Sequence, residues 1–237
     1  MKKPTRIVVP SLGPAHWRAL LADPYVQWKR GRSAWELAVS WESARDSETG
    51  IPPEVRAALK PISEFEQASL LLAIPEHRVA LDTAKSPSQN DLWCVLRVRG
   101  GYASAAVEAK AGEDFDKTIA QWMSDGSRGK SRRLEFLCGV LELAESPPRE
   151  LRYQLFHRTA SAVLEARRWG MSTALMLVQS FAESPTSWED YAGFGALLGC
   201  EVSRGRIVRV PLRRDPVLFL GWVDSPMADN EKGSAAV

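Results

Sequence analysis

Alternating apolar and polar positions organise this chain around one stretch, Gln89 to Lys110, which reads QNDLWCVLRVRGGYASAAVEAK. Two β-rich runs flank Gly100-Gly101, a pair suited to a tight turn that needs positive φ. With those glycines as the loop, Arg99 faces Tyr102 and the pairing runs back to Leu92 opposite Ala109. One face then carries Leu92, Cys94, Leu96 and Val98 against Ala103, Ala105, Val107 and Ala109, the unbroken apolar face of a half-buried hairpin. The other carries Asp91, Trp93, Val95, Arg97 and Arg99 with Ser104, Ala106, Glu108 and Lys110. In this register Asp91 stands opposite Lys110, and Glu108 lies on the diagonal within side-chain reach.

The flanking segments alternate helical and strand patterns. Ser33 to Ala44 has helical spacing, with Ser33 and Glu36 as an S-x-x-E capping box. Pro53 opens a short helix to Leu59, and a second S-x-x-E, Ser63 with Glu66, opens a helix towards Ile74 that Pro75 ends. His77 to Leu81 alternates as a short strand before a polar loop, Thr83 to Asn90. Past the hairpin, helices are expected over Asp114 to Met123, Arg132 to Leu143 and Arg149 to Trp169, with Ser124 to Lys130 as a basic loop. Thr173 to Phe181 is short and continuously apolar, which suits a strand buried on both faces. Ser187 to Leu198 is helical, and Arg206 to Leu212 and Val217 to Val223 are strands. This order predicts one α/β domain over residues 33–224, preceded by an N-terminal helical extension, 1–32, and followed by a disordered tail, 225–237.

Composition narrows the function classes. A hydrophobic share of 45% and a charged share of 25% are those of an ordinary globular chain. The formal net charge of +2 excludes global basicity, so a phosphate-binding surface must be a local patch; Lys29, Arg30 and Arg32 form one such knot. The three cysteines, Cys94, Cys138 and Cys200, are too scattered for a zinc spacing and read as reduced thiols. His16, His77 and His157 stand in no triad context, and no G-x-S-x-G elbow is present. No apolar run is long enough to cross a bilayer, and Ile7-Val8-Val9 is too short for a signal peptide, so a cytoplasmic protein is expected.

The chemistry lies at the open end of the hairpin. Paired carboxylates can hold a hard divalent cation such as Mg2+ or Mn2+, and a nearby ammonium can orient water or stabilise charge developing at phosphorus. Asp91, a turn, then Glu108-Ala109-Lys110 resembles the signature of the PD-(D/E)XK nuclease superfamily, although no proline precedes the acid in Asn90-Asp91. Asp91-Leu92-Trp93, Val107 to Lys110 and Arg152 to Arg158 (RYQLFHR) are similar to an uncharacterised bacterial group of restriction-type nucleases. The resemblance covers Ser33 to Phe181.

It implies a restriction-endonuclease-like mixed sheet flanked by helices, and a Mg2+-dependent endonuclease that hydrolyses DNA phosphodiester bonds. Asp91 and Glu108, with the carbonyl of Ala109, would hold the metal, and Lys110 would position the attacking water. A further acid is expected from the preceding helix, Glu36 first and Glu42 second, with Glu113 in support. Asp82 is a rival for the first carboxylate, though its loop position suits a turn. Gln154 matches the polar residue that such enzymes place on a helix beside the metal. His157 and Arg158, on the same polar stripe as Ser161, are expected at phosphates together with Lys29, Arg30 and Arg32. Cleavage of both strands by one site per chain would favour a homodimer. The alternative is a catalytically inactive binding or scaffold protein on the same fold.

Overall fold

Apolar runs pair into six strands among the described residues, and the helices between them cover the sheet on both sides. The computed structural model describes residues 11–82 and 86–228. The Ile7-Val8-Val9 run, part of the expected loop after Asp82 and the tail beyond 228 lie outside the described residues.

A 3-10 helix, Pro14–Leu20, and α1, Pro24–Gln27, lead into α2, Ser33–Ala44, and α3, Pro53–Leu59. Three strands follow: β1 (Ser69–Val79), β2 (Ser88–Val98) and β3 (Gly101–Lys110). Helices α4 (Ile119–Trp122), α5 (Arg128–Val140) and α6 (Tyr153–Arg168) carry the chain to β4 (Thr173–Ser180). Then come α7 (Pro185–Leu197), β5 (Arg206–Val210) and β6 (Val217–Asp224). The sheet order is β1-β2-β3-β4-β6-β5. The first three strands form an antiparallel meander, β3, β4 and β6 run parallel, and β5 returns antiparallel to β6. This is a single α/β domain on a mixed six-stranded sheet, as expected.

Two cores lie on opposite faces. Leu37, Ala38 and Trp41 of α2 with Val55 and Leu59 of α3 pack on Leu92, Cys94, Leu96, Ala103, Ala105 and Val107. Leu155, Phe156, Ala162 and Val163 of α6 with Phe194 of α7 pack on Ala106, Met176, Leu220 and Trp222. The apolar hairpin face is therefore the expected one, but the opposite face is not solvated. Helix α6 covers it, and Trp93, Ser104, Ala106, Glu108 and Lys110 are all buried. Strand β4 is buried on both faces along its length, as its unbroken apolar run predicts.

Three local expectations are corrected. The hairpin pairs Val98 with Gly101 and Leu92 with Val107, so its two-residue turn is Arg99-Gly100, with Gly100 at φ +79°. The Arg99 amide donates to the Glu64 carbonyl at 2.8 Å and is thereby withdrawn from the ladder. A two-residue slip preserves the faces, because side chains alternate with period two. Next, Ser63 to Ile74 is not a helix; residues 69–79 form a single strand, and Pro75 is tolerated because β1 is an edge strand. Finally, residues 225–228 are held against the body rather than disordered: the Ser225 amide donates to the Ser180 carbonyl at 2.7 Å, and the Ala228 amide to Glu36 Oε2 at 2.7 Å. Boundaries shift elsewhere: α5 starts inside the expected basic loop, α6 starts four residues late, and only Ile119–Trp122 is helical in the Asp114 segment.

No helix among the described residues is long and apolar enough to cross a membrane.

Candidate active site

The corrected register brings the two hairpin carboxylates together. Continuing from Leu92 opposite Val107 by one step sets Asp91 beside Glu108 rather than opposite Lys110. Asp91 Oδ2 accepts a hydrogen bond from the Ala109 amide at 2.8 Å, which fixes its carboxylate across the strand end. Lys110, two residues beyond Glu108 and so on the same face, donates from Nζ to Glu108 Oε1 at 2.7 Å.

Helix α6 completes the cluster. Gln154 and Arg158 are four residues apart, so their side chains lie one above the other on the helix face turned to β2 and β3. Gln154 Nε2 donates to Glu108 Oε1 at 2.7 Å, and its Oε1 accepts from Lys110 Nζ at 3.3 Å and from the Asp116 amide at 3.1 Å. Arg158 Nε donates to Glu108 Oε2 at 2.5 Å, Nη1 donates to Ser88 Oγ at 3.2 Å, and Nη2 lies 3.6 Å from Asp91 Oδ1. Both oxygens of Glu108 are thus engaged by side chains drawn from β3 and α6. All four residues line one cavity of about 390 Å3, together with Asp91 and Ala109.

The same cavity contains an acid that the sequence reading missed. Glu76 of β1 lies across from Asp91 in the β1–β2 register, and its Oε2 accepts from Gln89 Nε2 at 2.6 Å. Its φ of +52° is a left-handed conformation that costs a non-glycine residue on the order of 1–3 kcal/mol. The available signal was an acid inside the otherwise apolar run Ser69 to Ile74-Pro75-Glu76; reading Pro75 as a helix stop hid it.

Electrostatics separates the three acids. Burial would raise Glu108, but the Arg158 and Lys110 charges outweigh it and hold the carboxyl at about 2. Burial, and then the Glu108 charge, push Asp91 up to about 7 against the pull of Arg158. Burial, and then Asp91, push Glu76 up to about 8 despite its hydrogen bond from Gln89. Two cations face three clustered acids, and Asp91 and Glu76 relieve the remaining repulsion by holding protons up to near-neutral pH.

The other expected residues fall into distinct places. Glu36 is not at the site: Oε1 accepts from the Gly31 amide at 2.8 Å and Oε2 from the Ala228 amide. Its capping box is also absent, because Arg32 rather than Ser33 precedes the helix and no side chain caps it. Glu42 accepts from the Trp17 indole at 2.9 Å and from Ser11, away from the cluster. Asp82 pairs with Arg133 at 2.9 Å. Glu113 does line the cavity, with Oε2 accepting from the Ala111 amide at 2.8 Å.

Arg158 is only 8% exposed and spends its guanidinium on Glu108, Ser88 and Asp91, so it faces the acids and not an incoming phosphate. His157 bonds Ser88 Oγ through Nδ1 at 2.8 Å, and burial together with the Arg158 charge holds its ring well below the usual histidine range. It too is not a phosphate contact. Lys29, Arg30 and Arg32 are exposed; Arg32 lines the cavity mouth and Arg30 donates to the Ala228 carbonyl at 3.1 Å.

Among the described residues, no group of three His, Cys, Asp or Glu side chains is arranged to hold a metal ion unaided. The donor set fits Mg2+ in a narrower way. This cation is usually held by one or two carboxylates and completes its shell with water and substrate phosphate oxygens. Asp91 and Glu108 are oxygen donors of this kind, and Ala109 lines the same cavity beside them.

A family profile described as a domain of unknown function (DUF6946) matches residues 10–227. No curated protein and no solved structure matches the chain.

Proposed function

The chain belongs to the DUF6946 family, and for it we propose a metal-dependent nuclease that hydrolyses phosphodiester bonds in DNA, a relative of the PD-(D/E)XK nucleases. One observation carries the reading: Asp91, Glu108 and Lys110 meet at the end of a buried hairpin, with Gln154 brought to them by α6 in one cavity. When bound at Asp91, Glu108 and the Ala109 carbonyl, Mg2+ would lower the pKa of a bound water and shield the phosphate charge. Lys110 Nζ, held between Glu108 Oε1 and Gln154 Oε1, orients the attacking water and offsets charge that builds on phosphorus. Gln154 bridges Lys110 and Glu108 and so fixes the ammonium relative to the acid. Arg158 holds the Glu108 carboxylate plane through Oε2, which leaves its orientation no freedom. The Ala109 amide does the same for Asp91.

The second reading is a catalytically inactive member of the same fold that serves as a binding or scaffold protein. It is favoured by the ion pair from Arg158 to Glu108 at 2.5 Å, which satisfies this acid without any metal. One experiment separates them. A nuclease is expected to melt higher with Mg2+ than with EDTA and to cleave labelled DNA only with Mg2+ or Mn2+. An unchanged melting temperature with no cleavage of single- or double-stranded DNA would leave the scaffold reading.

A further inference from the structure

The cations inside the cavity are already committed. Lys110 Nζ donates to Glu108 Oε1 at 2.7 Å and to Gln154 Oε1 at 3.3 Å. The Arg158 guanidinium is divided among Glu108, Ser88 and Asp91. Each balances an acid that it holds. A phosphodiester brings one more negative charge into this space, and a charge taken out of bulk water needs a partner of its own.

Two residues of the cavity wall are uncommitted. Arg32 and Ser33, where the chain enters α2, line the same cavity as Asp91, Glu108 and Lys110. Arg32 is exposed, and among the described residues neither its guanidinium nor the Ser33 hydroxyl has a hydrogen-bond or ion-pair partner. Their backbone, by contrast, is held on both sides. The Arg32 amide donates to the Lys29 carbonyl at 3.0 Å, and the Arg32 carbonyl accepts from the Glu36 amide at 3.0 Å. Between them Gly31 adopts φ +77°, the left-handed region that glycine enters without a steric cost, and its amide is fixed by Glu36 Oε1 at 2.8 Å. A fixed backbone that carries free donors has met part of the ordering cost of binding in advance. Lys29 and Arg30, the other cations of the turn, do not line the cavity, and Arg30 donates to the Ala228 carbonyl. Chemistry favours Arg32 as well: its planar fork matches two oxygens of a phosphodiester, and a serine hydroxyl adds a third donor.

Resting on the nuclease reading of this site, we infer that Arg32, with Ser33 beside it, is the residue that receives a phosphate of the DNA bound in this cavity. The role expected of the whole basic knot and of His157 and Arg158 thus falls to one side chain, and Glu36 serves the site by holding the turn that carries it.

A matched pair of variants of the full chain tests this. Arg32→Gln and Lys29→Gln each remove one exposed cation, and only the first lies on the cavity. Circular dichroism checks that both fold, and anisotropy of a labelled oligonucleotide in EDTA is titrated at several salt concentrations. Arg32→Gln should weaken binding about tenfold and flatten the salt slope by roughly one unit, with a clearly smaller loss in Lys29→Gln. Arg32→Lys keeps the charge without the fork and should recover only part of the affinity. With Mg2+, Arg32→Gln should lower kcat/KM while the metal midpoint of cleavage stays where it is. Wild-type affinity and slope in Arg32→Gln, or an equal loss in Lys29→Gln, would overturn the inference, and cleavage by the wild-type chain would still leave the nuclease standing. The expected loss in Arg32→Gln, in a wild-type chain that cuts no DNA with any metal, would keep the phosphate contact and remove the nuclease. A wild-type chain that binds no DNA would overturn both.

Discussion

On the α2 side of the sheet Glu36 is 1% exposed and Glu42 6%, and on the α6 side Glu108 is 2% exposed. Equal burial hides different work. The α2 acids take mostly neutral donors, backbone amides, an indole and a hydroxyl, which tie the N-terminal segment and residues 225–228 to the core, and one half-exposed cation, Arg45, at 3.3 Å from Glu42. Glu108 takes two cations and an amide, and beside it stand Asp91 and Glu76, both raised far above the carboxylate range. A buried carboxylate surrounded by fixed N–H donors is satisfied as it stands. Acids placed beside it take up protons or call for a cation, because like charges cannot all stay ionised in one buried place. Burial and residue type alone do not separate structural acids from candidate catalytic ones; the partners do.

Breaking the cation side should have the largest effect. Arg158→Met strands Glu108 and Asp91, and is expected to cost about 3–5 kcal/mol in denaturant unfolding. Adding Glu108→Gln to that variant should return much of the loss; a double variant no better than the single one would show that Arg158 acts through packing instead.

Lys110→Met should leave Glu108 held by Arg158, yet lower DNA cleavage by about a hundredfold or more, as losing a group aimed at developing charge does. Steady-state rates with Mg2+ and circular dichroism on the same sample read both quantities. Wild-type rates would remove Lys110 from the chemistry.

On the α2 side, Glu36→Gln turns one acceptor into a donor facing an amide, and an unsatisfied group of this kind costs about 1–3 kcal/mol. Its metal titration of cleavage should match the wild type. A shifted midpoint would bring Glu36 back to the metal.

The remaining effect is on pH dependence. Asp91 and Glu76 have folded-state values, about 7 and about 8, above their ordinary 3.8 and 4.5. Their contribution to stability is therefore complete below pH 4 and disappears as pH rises through 7 and 8. The metal-free chain should melt lower at pH 8.5 than at pH 5.5, and Asp91→Asn with Glu76→Gln should flatten that decline. The reverse slope, measured by scanning calorimetry in EDTA, would contradict the repulsion among the clustered acids.

Much of the fold was legible because it rests on local pattern. The apolar hairpin face from Leu92 to Ala109, the doubly buried β4 and the polar stripe Gln154, His157, Arg158 on α6 follow from periods of two and 3.6, which any packed strand or helix must obey. Asp91, Glu108, Lys110 and Gln154 were likewise readable, since strand alternation and helical spacing already put each on the right face.

What the tertiary structure alone decided is which groups meet. The Glu64 carbonyl, thirty-five residues before Arg99, set the hairpin register and so placed Asp91 beside Glu108. The sheet edge made Pro75 acceptable within a strand and brought Glu76 to the cavity. Gly31 and Ala228, nearly two hundred residues apart, claimed the two oxygens of Glu36. Arg158 looked like a phosphate contact until Glu108, Asp91 and Ser88 closed around it. Periodicity assigns a side chain to a face. Its partner is chosen by whichever distant segment packs there, and an ionisable group takes its charge state and its role from that partner.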